Sequence, residues 1–231
     1  MNIIIDKRMR IQEKEYLSQF GKLIEIEPQS SVYEEISAHP DIFFAKIDNQ
    51  IFMAPNLELD NLYLNHCLFG NDIVEKNYPL DIKYNICQIG NNVIHNFKYT
   101  DKNILKYIDD QKLNKIQVSQ GYSKCSISVT SNNSCITSDK GVYDTLQNSQ
   151  IDVLLLENEI IRLLDKNGNK TKMNGFIGGA TGVIEDKFIL FGDSSKLKHK
   201  SLLLNHLKKY NLELIDFKEL EICDYGGFMI F

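Results

Sequence analysis

The chain has 231 residues, a formal net charge of −5 and a pI of about 5.6, and its basic residues are mostly lysines spread along the sequence. Without a concentrated basic face it is a poor match for a phosphate backbone, so a nucleic-acid partner is not expected. The apolar run near Ile3 is too short for a signal-peptide core, no stretch reaches the roughly 18 apolar residues of a membrane helix, and the five cysteines form no CxxC pair. A cytoplasmic protein with reduced thiols, away from membranes, is the expectation.

In chain order, Asn2 to Ile5 reads as a strand, the segment around Tyr16, Leu17 and Phe20 as a helix stopped by Gly21, and Lys22 to Ile26 as a second strand. From Ile42, two strands flank a turn at Asp48-Asn49, and Leu57 to Leu64 reads as a helix. From Ile86, Gly90-Asn91-Asn92 makes a turn, Asp101 caps a helix carrying Ile104, Leu105 and Ile108, and Lys115 to Val118 is a strand.

The clearest unit runs from Gly121 to Leu156. Ile127 to Thr130 and Cys135 to Thr137 are strands about a polar turn. Ser138 or Asp139 caps a helix bearing Val142, Tyr143 and Leu146, and Ile151 to Leu156 is a strand that is apolar apart from Asp152. Residues 157–173 form an inserted hairpin with its turn at Lys166 to Asn169, a candidate flap. From Val183 the order of elements returns, with a Ser194/Ser195 cap, a helix containing Leu203, Leu204 and Leu207, and a last strand over Leu212 to Phe217. Phe228 to Phe231 is a final strand that completes the module begun at Asn2.

Five ββαβ modules therefore start near residues 42, 86, 127, 183 and 228, the fifth shared between the termini. One such unit cannot bury its own apolar helix face and strand. The expected α/β fold is thus a closed pseudo-fivefold propeller in one domain over residues 1–231, with an ordinary open sheet as the alternative. Closure would gather the five segments that precede each first strand: His39-Pro40-Asp41, Lys83-Tyr84-Asn85, Gly121 to Cys125, Asn174 to Gly179, and Asp224 to Gly227. Glycines, aromatic rings and polar groups concentrate there, as they do where backbone meets backbone or ligand.

HPDIFF resembles the PD-x-x-F entry of the guanidino-group-modifying enzymes, the deiminases, dimethylargininases and amidinotransferases, which are five-bladed propellers. Together with GYSKCSI, ITSDKG, GFIGGATG and DYGG it resembles an uncharacterised bacterial branch of that fold. The resemblance implies a cysteine nucleophile near the C-terminus, a histidine acid/base in a G-H-x-D entry and carboxylates for the substrate cation. This chain departs from each. Phe176 stands at the histidine position, Gly178 at the aspartate position, GGFMIF carries no cysteine, and Ala45 and Lys46 replace an acidic pair, leaving Asp41.

A different set is available at the same entries: Cys125 as nucleophile, His39 as base and Lys124 as a cation favouring the thiolate, with Asp41, Asn85, Asn174, Phe176 and Asp224 to bind substrate. Each has a plainer reading. Cys125 suits a core, His39 a loop hydrogen bond, and Asp41 and Asp224 turn caps beside Pro40 and Gly226. Two functions follow: a cysteine-dependent hydrolase or transferase on a guanidine- or amide-bearing molecule, or a non-catalytic ligand- or protein-binding relative. The ribosome anti-association initiation factor is a fold-level analogy for the second.

Neither reading calls for a cofactor or a metal. The glycines from Gly175 to Gly182 precede a strand and so do not form a dinucleotide loop. His66-Cys67 and the pair His199 and His206 lack metal-ligand spacing, and the lysines of residues 196–200 read as a solvated helix start.

Overall fold

In the computed structural model, residues 1–59 and 67–231 are described. Strand β1 (Asn2–Asp6), helix α1 (Ile11–Ser18) and strand β2 (Lys22–Ile26) come first. Helical turn α2 (Pro40–Phe43) then leads into β3 (Phe44–Ile47), β4 (Gln50–Met53) and β5 (Cys67–Phe69). The expected helix over Leu57 to Leu64 falls largely on residues 60–66, outside the described residues, as does His66.

The second module contains β6 (Cys87–Ile89), β7 (Asn92–His95), α3 (Lys102–Asp110) and β8 (Asn114–Gln117). The Asp101 side chain accepts from the backbone N–H of Asn103 and Ile104 and fixes the start of α3. The third opens with helical turn α4 (Ser123–Ser126) and continues with β9 (Ile127–Ser131), β10 (Ser134–Thr137), α5 (Lys140–Asn148) and β11 (Asp152–Leu155). Asp139, rather than Ser138, caps α5 by accepting from the N–H of Val142.

The inserted hairpin is β12 (Arg162–Leu164) with β13 (Lys170–Asn174). Strands β14 (Thr181–Ile184) and β15 (Lys187–Leu190), helix α6 (Lys200–Lys209), β16 (Glu213–Ile215) and β17 (Met229–Ile230) complete the order. The expected Ser194/Ser195 cap of α6 is corrected. Those serines lie in a separate single helical turn capped by Asp193, and α6 starts after His199 without a side-chain cap.

Five three-stranded sheets share one topology, in the orders β17-β1-β2, β3-β4-β5, β6-β7-β8, β9-β10-β11 and β14-β15-β16. In each the central strand pairs antiparallel with the first and parallel with the third. The parallel pairing demands a crossover, which α1, α3, α5 and α6 supply in four modules. Among the described residues no sheet closes on itself. The first sheet is completed across the termini, Ile3 opposite Ile230 and Ile4 opposite Met229.

The start of the module read from Ile42 is corrected by two residues: Ile42 lies in the one-turn helix α2, and the extended strand begins at Phe44. The third module's first strand begins at Ile127 as expected, directly after the one-turn helix α4 that holds Cys125. Pro40 at the first position of α2, where a backbone N–H has no helical partner to lose, favours that turn. First strands lie side by side, β3 against β6, β6 against β9 and β9 against β14. The Lys46 ammonium on β3 donates to the Ile230 carbonyl of β17 at 2.8 Å. Apolar side chains fill the layers around them, among them Phe43, Phe44, Phe52, Phe188 and Phe191. No helix of the described residues is long and apolar enough to cross a membrane.

Candidate active site

The five module entries meet through a continuous circuit of contacts. Asn85, from the second entry, donates through Nδ2 to the Asp41 carbonyl of the first at 3.0 Å and to Cys125 Sγ of the third at 3.2 Å. Its Oδ1 accepts from the backbone N–H of Lys124 at 2.8 Å and of Cys125 at 3.2 Å. The N–H of Gly179, in the fourth entry, donates to the Cys125 carbonyl at 2.9 Å. Asp224, in the fifth, accepts the Phe176 N–H at 2.8 Å and the Gly226 N–H at 2.9 Å. His39 returns the circuit to the first entry, its Nδ1 standing 3.7 Å from Asp224 Oδ1.

Glycine permits this approach. A Cβ on Gly178 would lie 2.5 Å from the Ile127 and Lys124 carbonyl oxygens and 2.6 Å from that of Cys125. The aspartate that the G-H-x-D pattern places there has no room. Gly226, at φ +69°, would carry a Cβ 2.5 Å from that of His39.

At the centre of the circuit the Cys125 thiol donates to Asp41 Oδ2 at 2.9 Å. Cys125, Asp41, His39, Asn85 and Asp224 are all buried. Burial, reinforced by the Asp224 carboxylate, pushes Asp41 up to about 7. Burial likewise lifts Asp224 to about 6 against the pull of its two backbone donors. The Cys125 thiol is pushed well above its ordinary range, first by burial and then by Asp41 and Asp224, opposite to the thiolate expected from a neighbouring lysine.

His39 is held well below its usual value by burial and by Arg8, so its ring is neutral at pH 7. Both ring nitrogens, and Asp41 Oδ1, are buried without a hydrogen-bond partner among the described residues. Donor atoms of His39, Asp41 and Cys125 lie within 4.8 Å of one another, and this N, O, S set has the chemistry of a transition-metal site as well as of an acid/base pair around a thiol.

Above this cluster lies a cavity of about 470 Å³, within the size range of small-molecule sites. Cys125, Asn174, Phe176 and Asp224 line it, as do Tyr33, Glu35, Ile36, Tyr122, Leu163 and Met173. The Tyr122 and Phe176 rings stand 6.2 Å apart, and the Tyr122 hydroxyl is fixed by donation to Asp81 Oδ2 at 2.5 Å. The inserted hairpin supplies Leu163, Met173 and Asn174, so the segment read as a candidate flap forms one wall.

His39, Asp41 and Asn85 sit beneath the lining residues. Lys124 goes elsewhere, because successive residues of α4 point apart and its side chain lines a separate cavity along the first strands.

Sequence reasoning missed Asp6, Arg8, Tyr33, Glu35 and Tyr122. Arg8 pairs with buried Asp6 at 2.6 Å and donates to the carbonyls of Glu34, Glu35 and Leu164. It thereby ties the Tyr33–Glu35 loop and the inserted hairpin to the floor. Tyr122 lies inside a quoted entry and was within reach; Tyr33 and Glu35 stand on a connecting loop with no repeat to mark it.

A family model described as "Family of unknown function (DUF6873)" matches residues 4–229. The chain belongs to this family. No curated protein matches it. Solved structures match over almost the whole chain at low identity. A Pseudomonas aeruginosa dimethylarginine dimethylaminohydrolase mutant complexed with citrulline aligns at TM-score 0.52 and 8% identity, covering 93% of this chain and 91% of that one.

The amidinotransferase SxtG of the saxitoxin biosynthetic pathway, from Microseira wollei, gives 0.50 at 11% identity, covering 96% and 88%. C. jejuni agmatine deiminase gives 0.50 at 12% identity, covering 93% and 86%. The family member described here has the mixed α/β fold of the guanidino-modifying enzymes.

Proposed function

We propose that the protein is a cysteine-dependent hydrolase or transferase acting on a small cation that carries a guanidinium or amidinium group. The observation that carries this reading is the Cys125 thiol donating to Asp41 at 2.9 Å on the floor of a cavity walled by aromatic rings and Asp224. A nucleophile already bonded to a carboxylate near pKa 7 has its base in position. The aromatic faces of Tyr33, Tyr122 and Phe176, with Asp224 below, suit a delocalised cation. The fold shared with guanidino-modifying enzymes adds to this support.

In this mechanism the thiol proton passes to Asp41 as sulfur attacks the amidinium carbon. The carbon–nitrogen bond breaks, Asp41 passes that proton to the departing amine, directly or relayed through neutral His39, and an S-amidino intermediate remains on Cys125. Water or an acceptor amine then displaces the sulfur, which recovers a proton. A bound cation offsets the acidic field that holds the thiol protonated, so the nucleophile is released only with substrate present. Asn85 orients Cys125, Asn174 and Phe176 close the wall, and Lys124 contributes charge from behind.

The same reading takes the five modules as a closed pseudo-fivefold propeller in one domain. Support comes from the circuit of entries, the β3–β6, β6–β9 and β9–β14 neighbours, and the Lys46–Ile230 bond. It also makes the protein cytoplasmic, with a small molecule as its partner and neither nucleic acid nor membrane involved, in keeping with its acidic charge balance.

The test compares alkylation by 2-chloroacetamidine, an amidinium, with neutral 2-chloroacetamide, read by mass spectrometry at each cysteine. Cys125 should react at least about tenfold faster with the cation, and Asp224→Asn should erase the preference. Equal rates, or preferential labelling of Cys67, would remove the catalytic reading and leave a ligand-binding protein on the same fold.

A further inference from the structure

A larger cavity, of about 560 Å³, lies along the first strands β9, β14 and β17 and reaches Asn132 in the β9–β10 turn. Its charge is one-sided. Lys46 and Lys124 line it, and no aspartate or glutamate does.

The two ammonium groups are held differently. Lys46 gives one hydrogen bond, to the Ile230 carbonyl at 2.8 Å, and keeps two N–H donors for another partner. Lys124 has its backbone N–H bound to Asn85, but among the described residues its ammonium makes no hydrogen bond or ion pair, although its side chain is half-buried. Nζ of Lys124 is 3.9 Å from where a Gly227 Cβ would sit, which places it beside the β17 entry. The hydroxyls of Ser128 and Thr181 are tied to each other at 2.7 Å, and Thr181 also donates to the Ile177 carbonyl at 2.7 Å. Thr130 and Ser131 are likewise tied, to Ser134 and Asn133, which leaves the two lysines as the cavity's charged groups for a ligand, beside the Asn132 side chain.

We propose that this strand-lined cavity is a second binding site, for a small molecule bearing an oxyanion, phosphate or carboxylate, held by Lys124 and Lys46. A half-buried ammonium without a close partner loses hydration that an anion restores through charge-assisted hydrogen bonds. The volume accommodates more than a bare ion. The site is distinct from the cavity over Cys125 and takes the opposite charge. It connects to the acid cluster through Lys124, whose charge also acts on Asp41 and Asp224.

The experiment is calorimetric titration of the full chain with inorganic phosphate, and separately with malonate, each against sodium chloride at matched ionic strength. Saturable binding of either oxyanion is expected, weakened about tenfold or more in both Lys124→Met and Lys46→Met and retained in Lys124→Arg. Phosphate alone or malonate alone identifies which oxyanion the site prefers. Heats equal to the chloride control for both, or affinities unchanged in the lysine-to-methionine variants, overturn the proposal. Circular dichroism checks each variant's fold, and exposed Lys46 decides if Lys124→Met fails to fold. The titration needs no turnover, so its outcome is separate from that of the Cys125 labelling.

Discussion

His95 and His39 are both fully buried, yet their surroundings differ in kind. His95 has Thr100 Oγ1 on Nδ1 at 2.6 Å and the Ile82 carbonyl on Nε2 at 3.0 Å, which fixes one neutral tautomer. His39 has carboxylates near both nitrogens, Asp6 at 3.8 Å and Asp224 at 3.7 Å, and a hydrogen bond to neither. Burial depresses both, His95 to about 4.

The first is a polar group whose needs are met by neighbours close in the chain. The second stands where three separated parts of the chain converge, with donor and acceptor capacity unspent. Buried polar groups are nearly always satisfied, so an unsatisfied set beside a thiol and a cavity is the feature on which the proposed ligand site rests. The difference separates structural from chemical burial among residues of the same type.

The largest effect should come from removing the last four residues. This deletes β17 and Met229, strips β1 of its antiparallel partner, and spoils the circuit through both termini while leaving the His95 module intact in sequence. Loss of the cooperative thermal transition is expected; a truncated chain that melts with the full-length protein would refute closure across the termini.

Next, His95→Ala should cost about 3 kcal/mol, since it leaves a cavity and strands Thr100 and the Ile82 carbonyl. His39→Leu should change stability by less than about 1 kcal/mol, because no hydrogen bond is lost. Urea unfolding of the two variants measures the contrast directly, and equal losses would abolish it.

The acid cluster gives a pH signature of known sign. Asp41, raised to about 7, and Asp224, raised to about 6, bind protons more tightly folded than unfolded. Their stabilising contribution is full below the unfolded carboxylate pKa and is lost as pH rises through the folded values. His39 and His95, both depressed, work the other way, losing stability as pH falls below the unfolded histidine value.

Asp41 is isolated by subtracting the Asp41→Asn curve from the wild-type one. The difference should show wild type losing on the order of 4 kcal/mol between pH 4 and pH 8. A flat difference would show that Asp41 titrates normally.

The smallest effect is expected at the cavity rim. Tyr33→Phe keeps the ring and gives up only the hydroxyl that accepts from the Tyr78 N–H at 3.3 Å, so stability should move by less than about 0.5 kcal/mol. Tyr33→Ala should leave the fold intact but weaken retention of an amidinium probe about fivefold, a loss readable by calorimetry.

Much of the fold was legible because its signals are local and repeated. Ile127 to Thr137 announces two strands about a turn, and the Asp101 and Asp139 caps mark helix starts by chemistry that acts over three residues. The one-turn helices at Pro40 and Ser123 were less legible, since four residues are too few for a helical period to register.

For the site, convergence of the entries was readable from the repeat, and Cys125, Asn174, Phe176 and Asp224 do line one cavity. Side-chain direction was not readable. Lys124 adjoins Cys125 in sequence yet faces another cavity, and the thiol lies in an acidic field set by Asp41 and Asp224, residues distant in the chain. Tyr33 and Glu35 reach the cavity from a connecting segment that belongs to no module, and Arg8, which holds that segment, stands between β1 and α1, where neither spacing nor periodicity could announce its contacts.

The pairing of β1 with β17 bears on how the protein is made. Asn2 to Asp6 is synthesised well before the strand that covers it, which follows Asp224 and the glycines of the fifth entry. At roughly 5–20 residues per second, Ile3 and Ile4 wait on the order of 10–40 s for Ile230 and Met229. During that interval an apolar edge is available to the wrong partner, and the thiol has no complete pocket. A chain interrupted before residue 224 thus lacks both Asp224 of the acid cluster and the strand that pairs antiparallel with β1.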